Sequence, residues 1–407
     1  MKILMVATNY EAPVGGGGQK SLKVLVDALI AAGHEVVIAA LAHEAVGTHL
    51  VDGATVHYLP ARNVYRPTDA VARSVLPRMA YHALDVYNPL SARDVRQVIK
   101  NENPDVVHTH VLTGFSVSAW SASKALGVPV VHTIRDQYLL CARSTLFRNG
   151  RHCSSLCAEC AIFRWRHRDW SMHVDAVIGV SRYVLDEHCK RGYFEQAKIK
   201  QVIYNARDAK SLGCSNAKTI EPRKAQRFGF IGSLTPSKGI ELLISSFLSL
   251  DRSDVELLIA GTGDGVYDEA LRQRYQSERI HFLGRVRQRD FFPEVDVVVV
   301  PSLWNEPLGM VVAEAFAFGR PVIGASRGGI SEMIEHGHNG LVFDPDTPNE
   351  LRDRLSQILS YGQLNVISDN ARESAKPFLN MTSYAGAHTQ IYSKLYTSPT
   401  KRQLRQE

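Results

Sequence analysis

Apolar positions along the chain fall into two alternating kinds of run. Short continuous apolar stretches, Lys2–Ala7 (KILMVA), Glu35–Leu41 and Ala54–Leu59, read as strands. Between the first two, Gln19–Ala32 places Leu22, Leu25, Val26, Leu29 and Ile30 on one face of a helix. Asp105–His108, Val128–Thr133 and Ala176–Val180 continue the strands, with helical stretches between them. Fully apolar strands separated by helices indicate a parallel sheet covered on both faces. The alternation stops at Arg207–Gln226 (RDAKSLGCSNAKTIEPRKAQ), which is polar, has no period and reads as a linker. It restarts at Arg227–Gly232 (RFGFIG) and continues through Val255–Ala260, Ile280–Leu283, Asp296–Val300 and Pro321–Gly324. The predicted class is α/β, with two successive doubly wound units. The expected divisions are 1–206, with a cysteine-rich insertion at about 136–170, a linker at 207–226, a second unit at 227–380, and a C-terminal helix and tail at 381–407 that returns to the first unit. Ligands of such sheets bind outside the carboxyl ends of the strands. Two such sheets facing each other would make one interdomain cleft.

Composition narrows the picture only modestly. Of 407 residues, 45% are hydrophobic and 22% charged, which excludes a disordered tail, a collagen-like rod or a disulfide-dense scaffold. A chain this long buries enough surface to fold without a metal or disulfide. No apolar run approaches the roughly 18 residues of a membrane helix. Met1–Tyr10 reads as a buried first strand rather than a signal peptide. Charge is placed unevenly. Residues 1–205 hold 23 Lys and Arg against 17 Asp and Glu, while the remainder is balanced, so the whole net charge of +6 lies in the first half. That half suits an anionic partner, such as a phospholipid head group or a phosphorylated acceptor. A plain solvated surface is the alternative. No basic-aromatic pattern points to nucleic acid.

The segment richest in candidate chemistry is Pro301–Ala325, PSLWNEPLGMVVAEAFAFGRPVIGA. A helix is predicted to start at Pro307, because Pro is well tolerated at a first helical position. The amides of Leu308, Gly309 and Met310 would then face outward with the positive end of the helix dipole and suit a diphosphate. Glu306 would sit at the mouth. Glu314 follows eight residues later, roughly 12 Å along the axis and about 80° around it. An anion site between two carboxylates fits a nucleotide sugar, with hexose hydroxyls on Glu306 and ribose hydroxyls on Glu314. An ordinary capped helix with two surface carboxylates fits the spacing as well.

This segment resembles the Glu-x7-Glu region of the retaining, family 4 type glycosyltransferases of GT-B fold (glycosyl transferases group 1), and further motifs follow the family in order. Gly15–Gly18 (GGGG) resembles its N-terminal glycine-rich loop. Pro104–His110 (PDVVHTH) resembles the strand ending in the histidine near the reaction centre. Gly179–Tyr183 (GVSRY) and Val202–Asp208 (VIYNARD) resemble the exit strands of the first domain. Phe230–Gly239 (FIGSLTPSKG) resembles the opening of the nucleotide-binding domain, and AGTGDG, IHFLGRV and GGISEMIEHGHNGLVF follow in place. The resemblance implies two Rossmann-like domains: an N-terminal acceptor-binding one and a C-terminal nucleotide-sugar-binding one. It assigns catalytic roles to His110, Lys238 and Glu306. It places the donor on Gly16, Gly17, Ser233, Lys238, Gly261, Arg285, Val286, Glu306, Leu308, Gly309, Met310 and Glu314. One position departs from the pattern: many members carry Arg where this chain has Ser233. Lys238 remains as a point charge, and Arg135 or Arg143 are candidate substitutes.

The implied reaction transfers a hexosyl unit from a UDP- or GDP-sugar to a saccharide or lipid-linked saccharide, in cell-surface polysaccharide or glycoconjugate synthesis. The acceptor is expected near Gly15–Gly18 and along Arg62–Tyr87. A nucleotide-sugar epimerase or non-catalytic nucleotide-sugar binder of the same fold is the alternative. A dinucleotide oxidoreductase is disfavoured, because GGGGQK lacks the GxGxxG spacing. His108 and His110 close one strand, and only one is expected to face the reaction centre; the nearer to the carboxyl end is His110. Asp344-Pro-Asp346 mimics a metal-binding DxD but reads as a turn, so no catalytic metal is expected. Arg73–Tyr87 (RSVLPRMAYHALDVY) mixes basic and apolar residues and suits a membrane surface, although Pro77 makes it a poor continuous helix. The expected location is cytoplasmic, at most peripheral to the inner face of the membrane. Finally, four of the six cysteines, Cys141, Cys153, Cys157 and Cys160, lie in the insertion. Reduced, they can bind a structural zinc or remain free thiols of a basic loop.

Overall fold

A computed structural model of the chain describes residues 1–10, 16–67, 74–214, 226–362 and 364–396. It contains two α/β units of doubly wound, Rossmann-like type. The first comprises residues 1–146, 154–206 and 381–396 of the described chain. Its strands are β1 (Lys2–Val6), β2 (Glu35–Leu41), β3 (Gly47–Val51), β4 (Ala54–Leu59), β5 (Val106–Thr109) and β6 (Val130–Ile134). After the short hairpin strands β7 (Phe147–Arg148) and β8 (Arg151–His152), which cluster with the second unit, come β9 (Ala176–Gly179) and β10 (Ile199–Val202). The sheet order is β10-β9-β6-β5-β1-β2-β4-β3. Every pair is parallel except β3 with β4. Edge strands β3 and β10 escape the apolar pattern because one or both of their faces meet solvent.

The second unit comprises residues 147–153 and 207–380. Its sheet is β11 (Arg227–Ile231), β12 (Glu256–Ala260), β13 (Ile280–Gly284), β14 (Val297–Val300), β15 (Val322–Ala325) and β16 (Gly340–Phe343), in the parallel order β13-β12-β11-β14-β15-β16. Its core packs Phe228, Leu257, Ile259, Val297, Val299 and Ile323 from the strands against Ile240, Leu243, Ile244 and Phe247 of helix Ile240–Leu248.

Two local expectations change. The first residues of the polar stretch read as a linker are ordered: Asp208 caps helix Ala209–Leu212 through the amides of Lys210 and Ser211, and Leu212 is buried. Residues 215–225 of that stretch lie outside the described residues. Helix Val75–Val86 runs unbroken through Pro77, because Pro77 stands in its first turn, where a missing N–H leaves no intrahelical bond unmade. Arg73, Gly15 and 397–407 also lie outside the described residues.

Helix Met381–Tyr396 packs on helix Gly17–Ala31 and on β5 of the first unit. Its Tyr392 hydroxyl meets His108 Nδ1 at 2.7 Å, and Thr133 Oγ1 meets Nε2 at 2.7 Å, so His108 is a fully satisfied core histidine. It belongs to a larger set of buried imidazoles in this unit. Burial holds His132 down to about 3 and His188 and His388 each to about 4; in the half-buried His82, desolvation and the nearby Arg164 guanidinium have the same effect, to about 4.

The folded values lie below the 6.5 of free histidine, so between about 4 and 6.5 the unfolded chain binds protons that the folded unit refuses. The stability carried by the neutral imidazoles is complete above 6.5 and is lost as pH falls. Burial raises Asp85 and Asp136 to about 6, which works in the opposite sense, but these carboxyls are outnumbered. The urea midpoint of the first unit, followed by the fluorescence of Trp120, Trp165 and Trp170, should therefore fall between pH 7 and pH 5. A midpoint that holds or rises would contradict this account.

Candidate active site

In the second sheet the chain winds outward from β11 and β14 in both directions, so the loops that follow these two strands flank the topological switch point. The loop after β11 carries Ser233 and Lys238, and the loop after β14 carries Ser302, Trp304 and Glu306. The two are stitched together by the Leu303 amide, which donates to the Ser237 carbonyl at 2.8 Å. Gly239 allows this approach: it has φ +70°, and a Cβ there would stand 1.9 Å from the Pro301 carbonyl oxygen. As a result Lys238 Nζ donates to Glu306 Oε1 at 2.8 Å and lies 5.5 Å from the centre of the Trp304 ring. The Ser302 hydroxyl donates to the same carboxylate oxygen.

A third loop, after β15, grips Glu306 by its backbone. The Gly329 amide donates to the Glu306 carbonyl at 2.9 Å. Gly328 has φ +56°, and a Cβ there would fall 2.1 Å from that same carbonyl oxygen. The carboxylate itself is only 7% exposed as a residue, yet is charge-paired and hydrogen-bonded. Gly261, after β12, is held against Gly232, and Arg285 and Val286 follow β13. Ser233, Lys238, Gly261, Arg285, Val286 and residues 306–310 thus share the carboxyl edge of β11–β14.

The helix after β14 starts later than expected. It spans Met310–Ala317, not from Pro307, because Gly309 has φ +85°, which no right-handed helix accommodates. Ile330 also closes this position to any side chain: a Cβ on Gly309 would stand 2.7 Å from Ile330 Cγ1. Glu306 therefore sits in a loop, and Glu314 lies in the second turn of a short helix, so the axial spacing worked out from a start at Pro307 does not apply. Glu314 is buried and accepts from Arg207 Nε at 2.7 Å. Asp344 and Asp346 form the predicted turn and pair with Arg327 at 3.5 and 2.6 Å.

In the first sheet the switch point lies between β1 and β5. Gly16 and Gly17 follow β1, as the cap and first residue of helix Gly17–Ala31, with open space where side chains would be. His110 follows β5. Its ring lies 4.1 Å from that of His108. The two are therefore on the same side of the strand, as an i, i+2 pair must be, and the expectation that only one faces that side is corrected. Their partners distinguish them. Arg135 Nε, which can only donate, meets His110 Nδ1 at 3.2 Å. Burial, His108 and Arg135 keep the ring neutral, far below the usual imidazole range. His110 is thereby fixed as the Nε2–H tautomer, and among the described residues Nε2 has no partner. Arg135 also binds Asn205, and Arg143 binds Glu159 at 3.4 Å.

Within the insertion, Cys141 and Cys160 are buried, Cys157 is half-buried, and the Cys141 sulfur accepts the amide of Arg143 at 3.3 Å. Among the described residues no group of three or more His, Cys, Asp or Glu side chains could hold a metal ion. Cys153 is half-buried at the end of the β8 hairpin, in the segment that clusters with the second unit.

Sequence reasoning missed Arg207, Ser302 and the bonds from Arg135 to His110 and to Asn205. Ser302, Arg135 and Asn205 do carry a legible signal: each is a polar residue just beyond a strand's carboxyl end. Arg207 has none, since its partner is 107 positions away.

Two successive Rossmann-like units have the architecture of the GT-B fold. The chain belongs to the family described as glycosyl transferases group 1, matched over residues 225–361, with a glycosyl transferase 4-like domain matched over 16–204. It is 30% identical to an uncharacterized 42.6 kDa protein of the cps region of Klebsiella pneumoniae, covering 82% of this chain and 87% of that one. It is 28% identical to an uncharacterized glycosyltransferase of Methanocaldococcus jannaschii, over 96% and 98% of the two chains. Among solved structures, sucrose-phosphate synthase of Thermosynechococcus elongatus superimposes with a TM-score of 0.73 at 19% identity, covering 98% and 99% of the chains. Anabaena HepE in complex with UDP gives 0.69 at 20% identity, covering 97% and 100%.

The grip on Glu306 is open to test without substrate. Gly328→Ala should destabilise the protein by about 1–3 kcal/mol more than Gly337→Ala, whose φ is also positive but whose Cβ would meet nothing within 4 Å. Equal unfolding midpoints for the two variants would show that the close approach at Gly328 is not a constraint.

Proposed function

We propose that the protein is a retaining, metal-independent hexosyltransferase that takes a UDP- or GDP-sugar as donor and a saccharide or lipid-linked saccharide as acceptor, in cell-surface polysaccharide or glycoconjugate synthesis. The observation that carries this reading is the Lys238–Glu306–Ser302 contact at the switch point of the second sheet, in a chain of this family. The UDP complexes of Anabaena HepE and the cps-region origin of the Klebsiella relative support it.

The donor diphosphate lies against the amides of Leu308, Gly309 and Met310 and beside Lys238, which offset charge growing on the leaving group. A diphosphate beside Lys238 competes with Glu306 for the ammonium and frees that carboxylate for hexose hydroxyls. Glu314, steadied by Arg207, accepts from the ribose hydroxyls. Gly261, Arg285 and Val286 border the nucleotide, with Ser233 offering a hydroxyl. In the first unit, His110 offers a neutral Nε2–H to a sugar hydroxyl, and Gly16 and Gly17 leave open backbone. The glycosidic bond to the acceptor oxygen forms on the face from which the diphosphate leaves. The departing phosphate oxygen takes the acceptor's proton, so the anomeric configuration is kept and no enzyme nucleophile is required.

A panel of nucleotide sugars with acceptor oligosaccharides, read by release of nucleoside diphosphate and by the anomeric configuration of the product, tests the reading. Glu314→Ala should weaken nucleotide binding about 10- to 100-fold, the loss of one charged hydrogen-bond acceptor. Glu306→Gln should lower kcat more than it raises the donor KM. EDTA should leave activity intact. Inversion at the anomeric carbon, or loss of activity to EDTA with recovery on adding magnesium or manganese, would reject the corresponding part of the proposal.

The acceptor side includes an anionic membrane surface. Helix Val75–Val86 exposes Val75, Leu76 and Met79, and its Arg78 meets Glu159 of helix Ala158–Arg164, which exposes Ile162 with Trp165 just beyond it. Arg166 and Arg168 are also exposed, and the Arg166 guanidinium lies over the Trp165 ring. Among the described residues no helix is long and apolar enough to cross a membrane, and this patch offers surface binding instead. The protein should float with vesicles of anionic lipid at low salt, and Leu76→Asp with Met79→Asp should abolish flotation. Failure of the unmodified protein to float would reject the membrane role.

A further inference from the structure

We propose that Trp304 is a positioning residue for the donor: its ring face keeps the Lys238 ammonium in place when Glu306 gives that ammonium up to the diphosphate. The inference rests on the donor reading above and adds to it an uncharged residue that so far has no role. It starts from where the ammonium stands, between two groups of one loop. Lys238 Nζ donates to Glu306 Oε1 at 2.8 Å and lies over the Trp304 ring, 5.5 Å from its centre. That separation is within the roughly 6 Å over which a ring face attracts a cation. Trp304 and Glu306 both follow β14, while Lys238 comes from the loop after β11.

A lysine in this place needs such confinement. It is a point charge on a flexible four-carbon stem, and its side chain is 26% exposed. Residues 232–239 hold no other cation, and Ser233 offers only a hydroxyl. In the free protein the carboxylate and the ring share the ammonium. In the proposed donor complex the diphosphate draws the ammonium from Glu306, and the carboxylate turns to hexose hydroxyls. The ring then remains as the wall on the protein side. Being uncharged, it attracts the cation without competing with the diphosphate as a second anion would. A ring face is worth more to a desolvated cation than to an exposed one. The contact therefore strengthens as the donor displaces water, and only a contact that differs between the free and bound states can change affinity.

The ring takes its place without help from its own N–H. Trp304 is half-buried, and its buried Nε1 has no hydrogen-bond partner among the described residues. Its backbone is tied down instead. The Leu303 amide donates to the Ser237 carbonyl at 2.8 Å, next to Lys238 in the chain. On the other side of Lys238, Gly239 lets the Pro301 carbonyl come close. The tryptophan loop and the lysine loop are thus fixed to each other on both sides of the pair. Trp304→Phe accordingly removes no hydrogen bond of the free protein and keeps an aromatic face, whereas Trp304→Leu keeps apolar bulk alone.

The test is a double-mutant cycle on the full chain, read as affinity for UDP and for GDP by titration calorimetry. Trp304→Leu should weaken binding of the preferred nucleotide about 3- to 10-fold, and Trp304→Phe should weaken it less. Lys238→Met should weaken it about 10-fold or more. In the Lys238→Met background Trp304→Leu should have no further effect, because the ring acts through the ammonium. A ring that merely supports its loop would cost the same affinity in both backgrounds, and that result overturns the inference. A folded Trp304→Leu protein that binds like the unmodified one overturns it as well. Circular-dichroism melting identifies a Leu variant that misfolds, and Trp304→Phe then takes its place in the cycle under the same two criteria. If Lys238→Met binds as tightly as the unmodified protein, or if the unmodified protein binds neither nucleotide, the donor reading itself fails and the inference falls with it.

Discussion

The candidate site rests on backbone meeting backbone at positions where no side chain fits. At the switch point of the second sheet, Gly239, Gly261 and Gly328 each bring one loop within contact of a carbonyl oxygen from another, at separations a Cβ would close to between 1.8 and 2.1 Å. Four loops, those after β11, β12, β14 and β15, are thereby locked together. Glu306 is not free to take a surface rotamer: its carbonyl is held by Gly329 and its carboxylate by Lys238 and Ser302. A buried carboxylate without such partners would be costly. In the proposed reaction Lys238 is also the residue that the donor diphosphate takes, exchanging one anion for another.

The first unit solves a different problem with histidine. Its interior holds several imidazoles kept neutral by burial, and neutrality gives each ring one donor and one acceptor to place. For His108 both are used, by Tyr392 and Thr133, and the ring ties the C-terminal helix to the sheet. For His110 only the acceptor is used, by Arg135, which leaves Nε2–H beyond the end of β5. Two histidines two residues apart thus divide into a structural one and one with a donor to offer. The same unit anchors its cysteine-bearing insertion through Asp85 and Arg164, a buried pair shared with Tyr138.

Strands buried on both faces were legible in the sequence, because continuous apolar runs such as those of β2 and β14 have few other readings. The edge strands β3 and β10 were not, since solvent on one or both faces removes that signal. The residues of the site were legible through their order along the family's motifs and through the rule that ligands gather at strand ends. The start of the helix at Met310 was not. Pro307 is a sound local signal, but the left-handed Gly309 delays the helix to Met310, and its fit against Ile330, twenty-one positions on, is tertiary packing that propensity does not see. Arg207 escaped for the same reason. It stands in a polar stretch, and only the fold brings it to Glu314. Pro77 misleads in the opposite direction: a helix breaker by type, it breaks nothing in the first turn of helix Val75–Val86.

The central claim is that the donor nucleotide is held at the switch point of the second sheet by the loops around Lys238 and Glu306. Hydrogen–deuterium exchange of the full chain, with and without saturating UDP or GDP, tests it most directly. Slower exchange concentrated in residues 230–239 and 301–316 is the predicted result. Protection confined to the loops after β1 and β5 of the first unit, with 301–316 unchanged, would contradict it.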